Sequence, residues 1–188
     1  SLEANPGDID AWRARSLKDL GFNRVSVGVQ SFDDGLLQML GRKHDANTAI
    51  AAISSFRDGG FDSINLDLMF GLPNQTLHQW EASLDKTLEL DTDHVSLYGL
   101  TIEPNTYFAV KPPTLPDEDT SWRIRSALYD MARTNDYCQY EVSAFSKPES
   151  QCFHNLSVWR FGDYVGLGAG AHGKVTTPQG IIRYAKEK

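Results

Sequence analysis

Three short runs of β-branched and apolar residues constrain this chain more than anything else in it. They are RVSVGV at Arg24–Val29, SINLDLMF at Ser63–Phe70 and HVSLYGL at His94–Leu100. Stretches of helical character lie between them. One starts at Asp33, a second runs from a capping Asp45 through Ile50, Ile53 and Phe56 to Gly59-Gly60, and a third follows Gly71-Leu72-Pro73 and ends near Leu90. Ser1-Leu2-Glu3-Ala4 reads as the end of one more strand, closed by Asn5-Pro6-Gly7. A helix from about Asp8 then carries Ile9, Trp12, Leu17 and Leu20 as its apolar stripe. Alternation of this kind requires parallel strand pairing with helices outside the sheet, so the chain is α/β, a parallel barrel or an open sheet.

The polar residues of these strands fall late: Glu3, Gln30, Asp67, then Thr101 and Glu103. In a parallel sheet all of them open on one face, where α/β proteins build their sites. Arg42 returns to that face across the short helical turn Asp33–Leu40, so Gln30 and Arg42 are expected to meet one polar ligand. Glutamate can hold an ammonium, arginine can grip a carboxylate through two parallel hydrogen bonds, and glutamine with aspartate can bind vicinal hydroxyls. The set suits an amino-acid zwitterion joined to a ribose. The competing account is an ion pair between Glu3 and Arg42, with Asp67 capping a helix.

After Leu100 the pattern changes. Residues 104–116 carry four prolines and read as a loop over the sheet, and Asp117 caps a long helix through Trp122, Leu128 and Met131. Tyr140–Phe145 alternates as a strand does, and Thr177-Pro178-Gln179-Gly180 marks a hairpin. The run Gly166–Gly173 is no dinucleotide fingerprint, because no helix pattern follows it; it reads as backbone passing close to the barrel mouth. A net charge of −7 argues against a general nucleic-acid or anionic-membrane binder. No apolar run approaches the roughly 20 residues of a membrane span, and with no signal peptide the cytoplasm is the expected location. Cys138 and Cys152 are too few for a disulfide framework or a metal site, and read as reduced thiols.

Several motifs, in order, carry a family resemblance: EANP at Glu3, RVSVGVQSF with LGRKH, NLDLMFGLP, HVSLYGLTIEP, QYEVS, HNLSVW and GLGAGAHGKV. Together they resemble the radical S-adenosylmethionine (SAM) proteins around the oxygen-independent coproporphyrinogen III oxidase, and most of all the heme-chaperone branch. The resemblance implies a partial parallel TIM-like barrel, with residues 1–103 supplying its third to sixth strands and their helices. Residues 104–188 would form a loop, a long helix and an α+β extension packing on the barrel. It implies that Glu3, Gln30, Arg42, Asp67 and Thr101 contact SAM, with Arg42 on the methionine carboxylate, Gln30 and Asp67 near the ribose, and Thr101 acting mainly through backbone near the adenine. In the oxidase, the counterpart of Glu3 lies at a second SAM.

HNLSVW resembles the branch's HNxxYW signature, with Val158 in place of the tyrosine, and implies a heme site of His154, Asn155 and Trp159. The plainer account is that His154 and Asn155 bond a loop while Trp159 fills core. The family's three cluster cysteines and its Gly-Gly-Thr-Pro turn are missing, so the chain reads as an internal piece of a longer protein. The 4Fe-4S cluster would take its ligands from outside these residues, and the piece alone would be inactive. The expected function is heme and SAM binding with delivery of heme to an acceptor protein, served by an electron donor. The alternative is oxidative decarboxylation of coproporphyrinogen III, an enzyme with a porphyrinogen substrate.

Overall fold

A computed structural model of the chain describes residues 1–187. They form two compact units, one of Ser1–Ser150 and one that begins at Gln151. In the first, β1 (Leu2–Ala4), β2 (Arg24–Gln30), β3 (Ser63–Phe70) and β4 (His94–Gly99) pair in parallel in chain order. The sheet then continues antiparallel through β6 (Ala144–Ser146) to β5 (Cys138–Gln139). The helices are α1 (Ala11–Asp19), α2 (Asp34–Met39), α3 (Ala46–Asp58), α4 (Leu77–Glu89), α5 (Tyr107–Val110) and α6 (Glu118–Thr134).

Alternation along the strands divides the sheet into two faces. Val25, Val27 and Val29 are fully buried, as are Leu66, Leu68 and Val95, and they join Ile53 and Phe56 of α3, Trp80 of α4 and Ile124 of α6 in one core. The residues between them turn the other way and, Gly28 apart, are polar. Local signals set the helix limits. Asp33 and Asp45 accept from the backbone of Leu36 and Thr48, and Thr76 and Gln79 form a reciprocal capping box ahead of α4. The Thr76 box was not among the sequence expectations.

Three expectations need correction. The first helix starts at Ala11 under an Asp10 cap, because Pro6–Asp8 forms a separate 3₁₀ turn. The face turned to the core therefore centres on Ala14, and Trp12 and Leu20 are each 76% exposed. Ala14 packs close enough to Gly59 that a methyl group there would lie 3.3 Å from it. The segment Tyr140–Phe145 is not one strand. Its alternation disguises a turn, in which Tyr140 N–H reaches Ala144 O, Gln139 Nε2 reaches Val142 O and Glu141 accepts from Ser143 N–H. The proline-rich loop contains α5, capped by Thr106.

The second unit holds α7 (Phe153–Trp159) and a hairpin of β7 (His172–Thr177) and β8 (Gly180–Ala185), turning where expected. Its glycine run lies close to its own hairpin. A Cβ at Gly166 would strike the His172 backbone at 2.1 Å, and one at Gly173 would strike the Tyr184 ring at 2.1 Å. Lys174 is buried and ties this unit together through Asp163, Thr176 and Phe161 O. That hydrogen-bonding holds the Asp163 carboxyl down at about 2.

Candidate functional site

The polar face of the sheet is built by register. Glu3 pairs with Ser26, Ser26 with Asn65 and Asn65 with His94, which makes one row; Asp67 pairs with Ser96 in the next. The expected site residues thus share a face but not a height. Glu3 sits a row below Asp67 and is exposed, whereas Gln30 closes β2 and Thr101 lies past the end of β4, also exposed.

Gln30 reaches its position through a bulge. The β2–β3 register slips between Val27 and Gln30, and Gln30 takes φ +68°, a left-handed conformation unusual for glutamine. The bulge re-aims its side chain over Gly28. A Cβ at Gly28 would stand 3.2 Å from Gln30 Nε2, 3.4 Å from Arg42 Nη2 and 3.7 Å from Ala4 O. Glutamine and arginine therefore converge on a hollow that a side chain at Gly28 would crowd.

Arg42 is brought there by α2, after which its own N–H bonds Leu37 O. Its Nη2 donates to Gly28 O at 2.9 Å and to Asn5 Oδ1 at 3.0 Å. Those two bonds orient the guanidinium and leave Nε and Nη1 for a ligand. Among the described residues Arg42 forms no ion pair, so the Glu3–Arg42 account fails. Behind it, Asn5, Asp8, Lys43 and His44 border an open cleft of about 470 Å³. His44 is buried and bonds Val29 O, the structural role its turn suggests.

Asp67 caps no helix; it stands mid-strand. Its Oδ2 accepts from Ser26 Oγ at 2.7 Å and its Oδ1 from Asn65 Nδ2 at 2.9 Å. Burial pushes its carboxyl above the usual range, against the pull of the Ser26 and Asn65 hydrogen bonds, and the charge of Glu3 adds to the rise. A carboxylate oxygen accepts about two hydrogen bonds, so each oxygen of Asp67 keeps a lone pair for a further donor. That geometry matches a pair of neighbouring hydroxyls.

A polar network behind Asp67 was missed by sequence reasoning. Asn65 also donates to Ser26 Oγ and accepts from Ser96 Oγ, and His94 links Asn65 Oδ1 (2.5 Å) to the Tyr140 hydroxyl (2.6 Å). His94 is fully buried, and burial, with Arg24 nearby, lowers its pKa to about 3, so the ring is neutral. Tyr98, next along the face, has its phenol pushed up by burial and by the charge of Asp67. The available signal was a period of two in each strand: Ser26-Gly28-Gln30, Asn65-Asp67 and His94-Ser96-Tyr98.

The proposed heme residues belong to the second unit, all on α7. His154 is exposed, Asn155 half-buried, and Trp159 is 55% exposed, so the indole does not fill core. Helical spacing puts Asn155 and Trp159 on one face, and His154 in line with Val158. Cys138 is exposed and Cys152 buried, and no cluster of three or more metal-ligating side chains occurs among the described residues. None of the described helices is long and apolar enough to cross a membrane.

Residues 1–87 match the sequence model of the Radical SAM superfamily. The whole chain is 49% identical to heme chaperone HemW of Haemophilus influenzae and 48% identical to heme chaperone HemW of Escherichia coli. It covers 49% and 50% of those proteins, so it spans about half the length of the curated relatives it matches. Mouse radical S-adenosyl methionine domain-containing protein 1, mitochondrial, is 38% identical over the full chain, which covers 43% of it. Among solved structures, the radical SAM enzyme coproporphyrinogen III oxidase (HemN) of Escherichia coli superposes with a TM-score of 0.78 at 24% identity, over 91% of this chain and 43% of that one. The expected TIM-like barrel architecture is the one this superposition reports.

Proposed function

We propose that this chain, whose residues 1–87 match the Radical SAM superfamily, forms the cofactor-holding part of a heme chaperone, a protein that binds SAM and heme and passes heme to an acceptor protein. The observation that carries this reading is the hollow at Gly28, where Gln30 and Arg42 converge on the face that also carries Asp67. The donor set fits SAM. Arg42, through Nη1, meets the methionine carboxylate, the Gln30 amide and the two open lone pairs of Asp67 meet the ribose hydroxyls, and Glu3 offers a carboxylate to an ammonium. Thr101 supplies backbone groups beyond β4 toward the adenine. These residues bind and orient; none is asked to move a proton. Beside a reduced iron–sulfur cluster, bound SAM supplies radical chemistry.

The residues of this chain do not fit a 4Fe-4S cluster, which in the family the chain resembles takes three cysteines, and only Cys138 and Cys152 are present. The cluster ligands and the barrel strands preceding β1 belong, in this reading, to the rest of the protein, which works in the cytoplasm and receives its electron from a separate donor. Heme is assigned to α7, with His154 as axial ligand. Support comes from identity to proteins named heme chaperones, about twice the identity to the oxidase.

The test is a pair of titrations on the full-length protein with its cluster reconstituted without oxygen. Heme should give a Soret band that His154→Ala alters, and SAM should bind with an affinity that Arg42→Ala lowers by about tenfold or more, the scale of one charged hydrogen bond. Conversion of coproporphyrinogen III to protoporphyrinogen under reducing conditions would overturn the chaperone reading in favour of the oxidase.

A further inference from the structure

The network behind Asp67 has a direction. Asn65 uses its Nδ2 as donor toward both Ser26 Oγ (2.6 Å) and Asp67 Oδ1 (2.9 Å), so its Oδ1 faces away from Asp67 and accepts. It accepts from Ser96 Oγ at 3.1 Å and from His94 Nδ1 at 2.5 Å. A neutral imidazole carries one N–H. That proton therefore sits on Nδ1, which leaves Nε2 as a bare acceptor, and the Tyr140 hydroxyl 2.6 Å away donates to it. Every donor from Tyr140 to Asp67 thus points toward the carboxylate. Reversing one link sets acceptor against acceptor at the next: with the proton on Nε2, His94 Nδ1 would face Asn65 Oδ1, and the amide would have to turn its oxygen toward Asp67.

We propose that Tyr140 and His94 are positioning residues for the SAM ribose. The Tyr140 hydroxyl selects the tautomer of His94, His94 fixes the Asn65 amide, and Asn65 holds Asp67 so that one lone pair on each oxygen meets the vicinal hydroxyls. The inference rests on the SAM reading above. A merely structural tie between the antiparallel hairpin and β4 would not need this chemistry. The β4–β6 ladder already joins them at three residue pairs, and the His94 and Tyr140 rings already pack edge to face at 5.5 Å. Burying three further polar groups in a row is costly unless each is matched, and here each is matched in one sense only. The hairpin thereby acts on the ligand face without touching the ligand.

The experiment uses full-length protein labelled with ¹⁵N-histidine and compares Tyr140→Phe with Tyr137→Phe. Tyr137 also donates a buried hydroxyl, to Thr92 O at 2.5 Å, but into no chain leading to Asp67. The wild-type His94 should show the Nδ1–H tautomer. Tyr140→Phe should populate Nε2–H and weaken SAM by about tenfold; Tyr137→Phe should change neither. The proposal is overturned if wild-type His94 carries its proton on Nε2. It is equally overturned if Tyr140→Phe leaves SAM affinity intact while Asp67→Asn lowers it. Should the wild-type protein fail to bind SAM at all, the cofactor reading falls and this inference with it, whereas the two preceding outcomes remove the inference alone.

Discussion

The two faces of the β2–β3–β4 sheet are made by neighbouring residues of the same strands, yet they are held together by different physics. On the helix side, Val25, Val27, Val29, Leu66, Leu68 and Val95 are completely shielded, and their attraction is non-directional. Any apolar side chain of similar volume would serve there at modest cost. On the other side, Ser26, Asn65, Asp67, His94 and Ser96 are linked bond by bond, and each tolerates only a partner of the right donor sense. One face supplies stability through area. The other spends some of it to hold a carboxylate and an imidazole away from water.

If that contrast is right, the largest stability effect belongs to the helix side. Phe56→Ala removes a fully buried ring that packs edge-on against Phe61 and should cost about 3–5 kcal/mol in denaturant unfolding. Next comes acid. His94 titrates at about 3 in the fold against 6.5 when exposed, so the unfolded chain takes up a proton that the native one refuses. Stability is therefore full above 6.5 and falls as pH drops toward 3, by about 2 kcal/mol between pH 7 and pH 5. Asp67, raised in the fold, works in the opposite sense. Chemical denaturation at both pH values would measure the net slope, and His94→Gln should flatten it.

Asp67→Asn would test the contrast most sharply, because its two effects on folding oppose each other. It relieves a buried carboxylate but sets an amide NH2 against the Ser26 or Asn65 donor, so folding stability should change by no more than about 1 kcal/mol, while the proposed SAM affinity falls about tenfold, some 1.4 kcal/mol, by calorimetry. The smallest effect lies outside both faces. Trp12→Ala on the exposed side of α1 should shift stability by no more than about 0.5 kcal/mol, although its sequence position reads as core.

The helix-facing half of the sheet was legible because its signals are local and redundant. β3 runs over the residues the apolar alternation marks, and the caps at Asp33, Asp45 and Asp117 stand where the sequence puts them. Where two local signals compete, legibility fails. Pro6-Gly7-Asp8 can open a helix or form its own turn, and the second outcome rotated the face of α1. Alternation at Tyr140–Phe145 suits a strand and a tight hairpin equally. The convergence of Gln30 and Arg42 was readable from strand-end position, but the bulge that produces it was not, since glutamine does not advertise a positive φ. The network behind Asp67 escaped for another reason: Ser26, Asn65, His94 and Ser96 each look like an isolated core polar residue, and only the register between strands makes them one object.

The hollow at Gly28 has a consequence for genetics. Its backbone is not left-handed, so alanine is sterically allowed by the main chain, yet the added methyl would press on Gln30 Nε2 at 3.2 Å and Arg42 Nη2 at 3.4 Å. A single carbon therefore occupies the space a ligand would use and pushes apart the two groups that would grip it. Gly28→Ala should yield a separation-of-function allele: a protein that folds, accumulates and keeps its α7 surface, but binds the proposed SAM cofactor more weakly. Such an allele would let the proposed heme handling and the proposed SAM dependence be scored independently in the same cell.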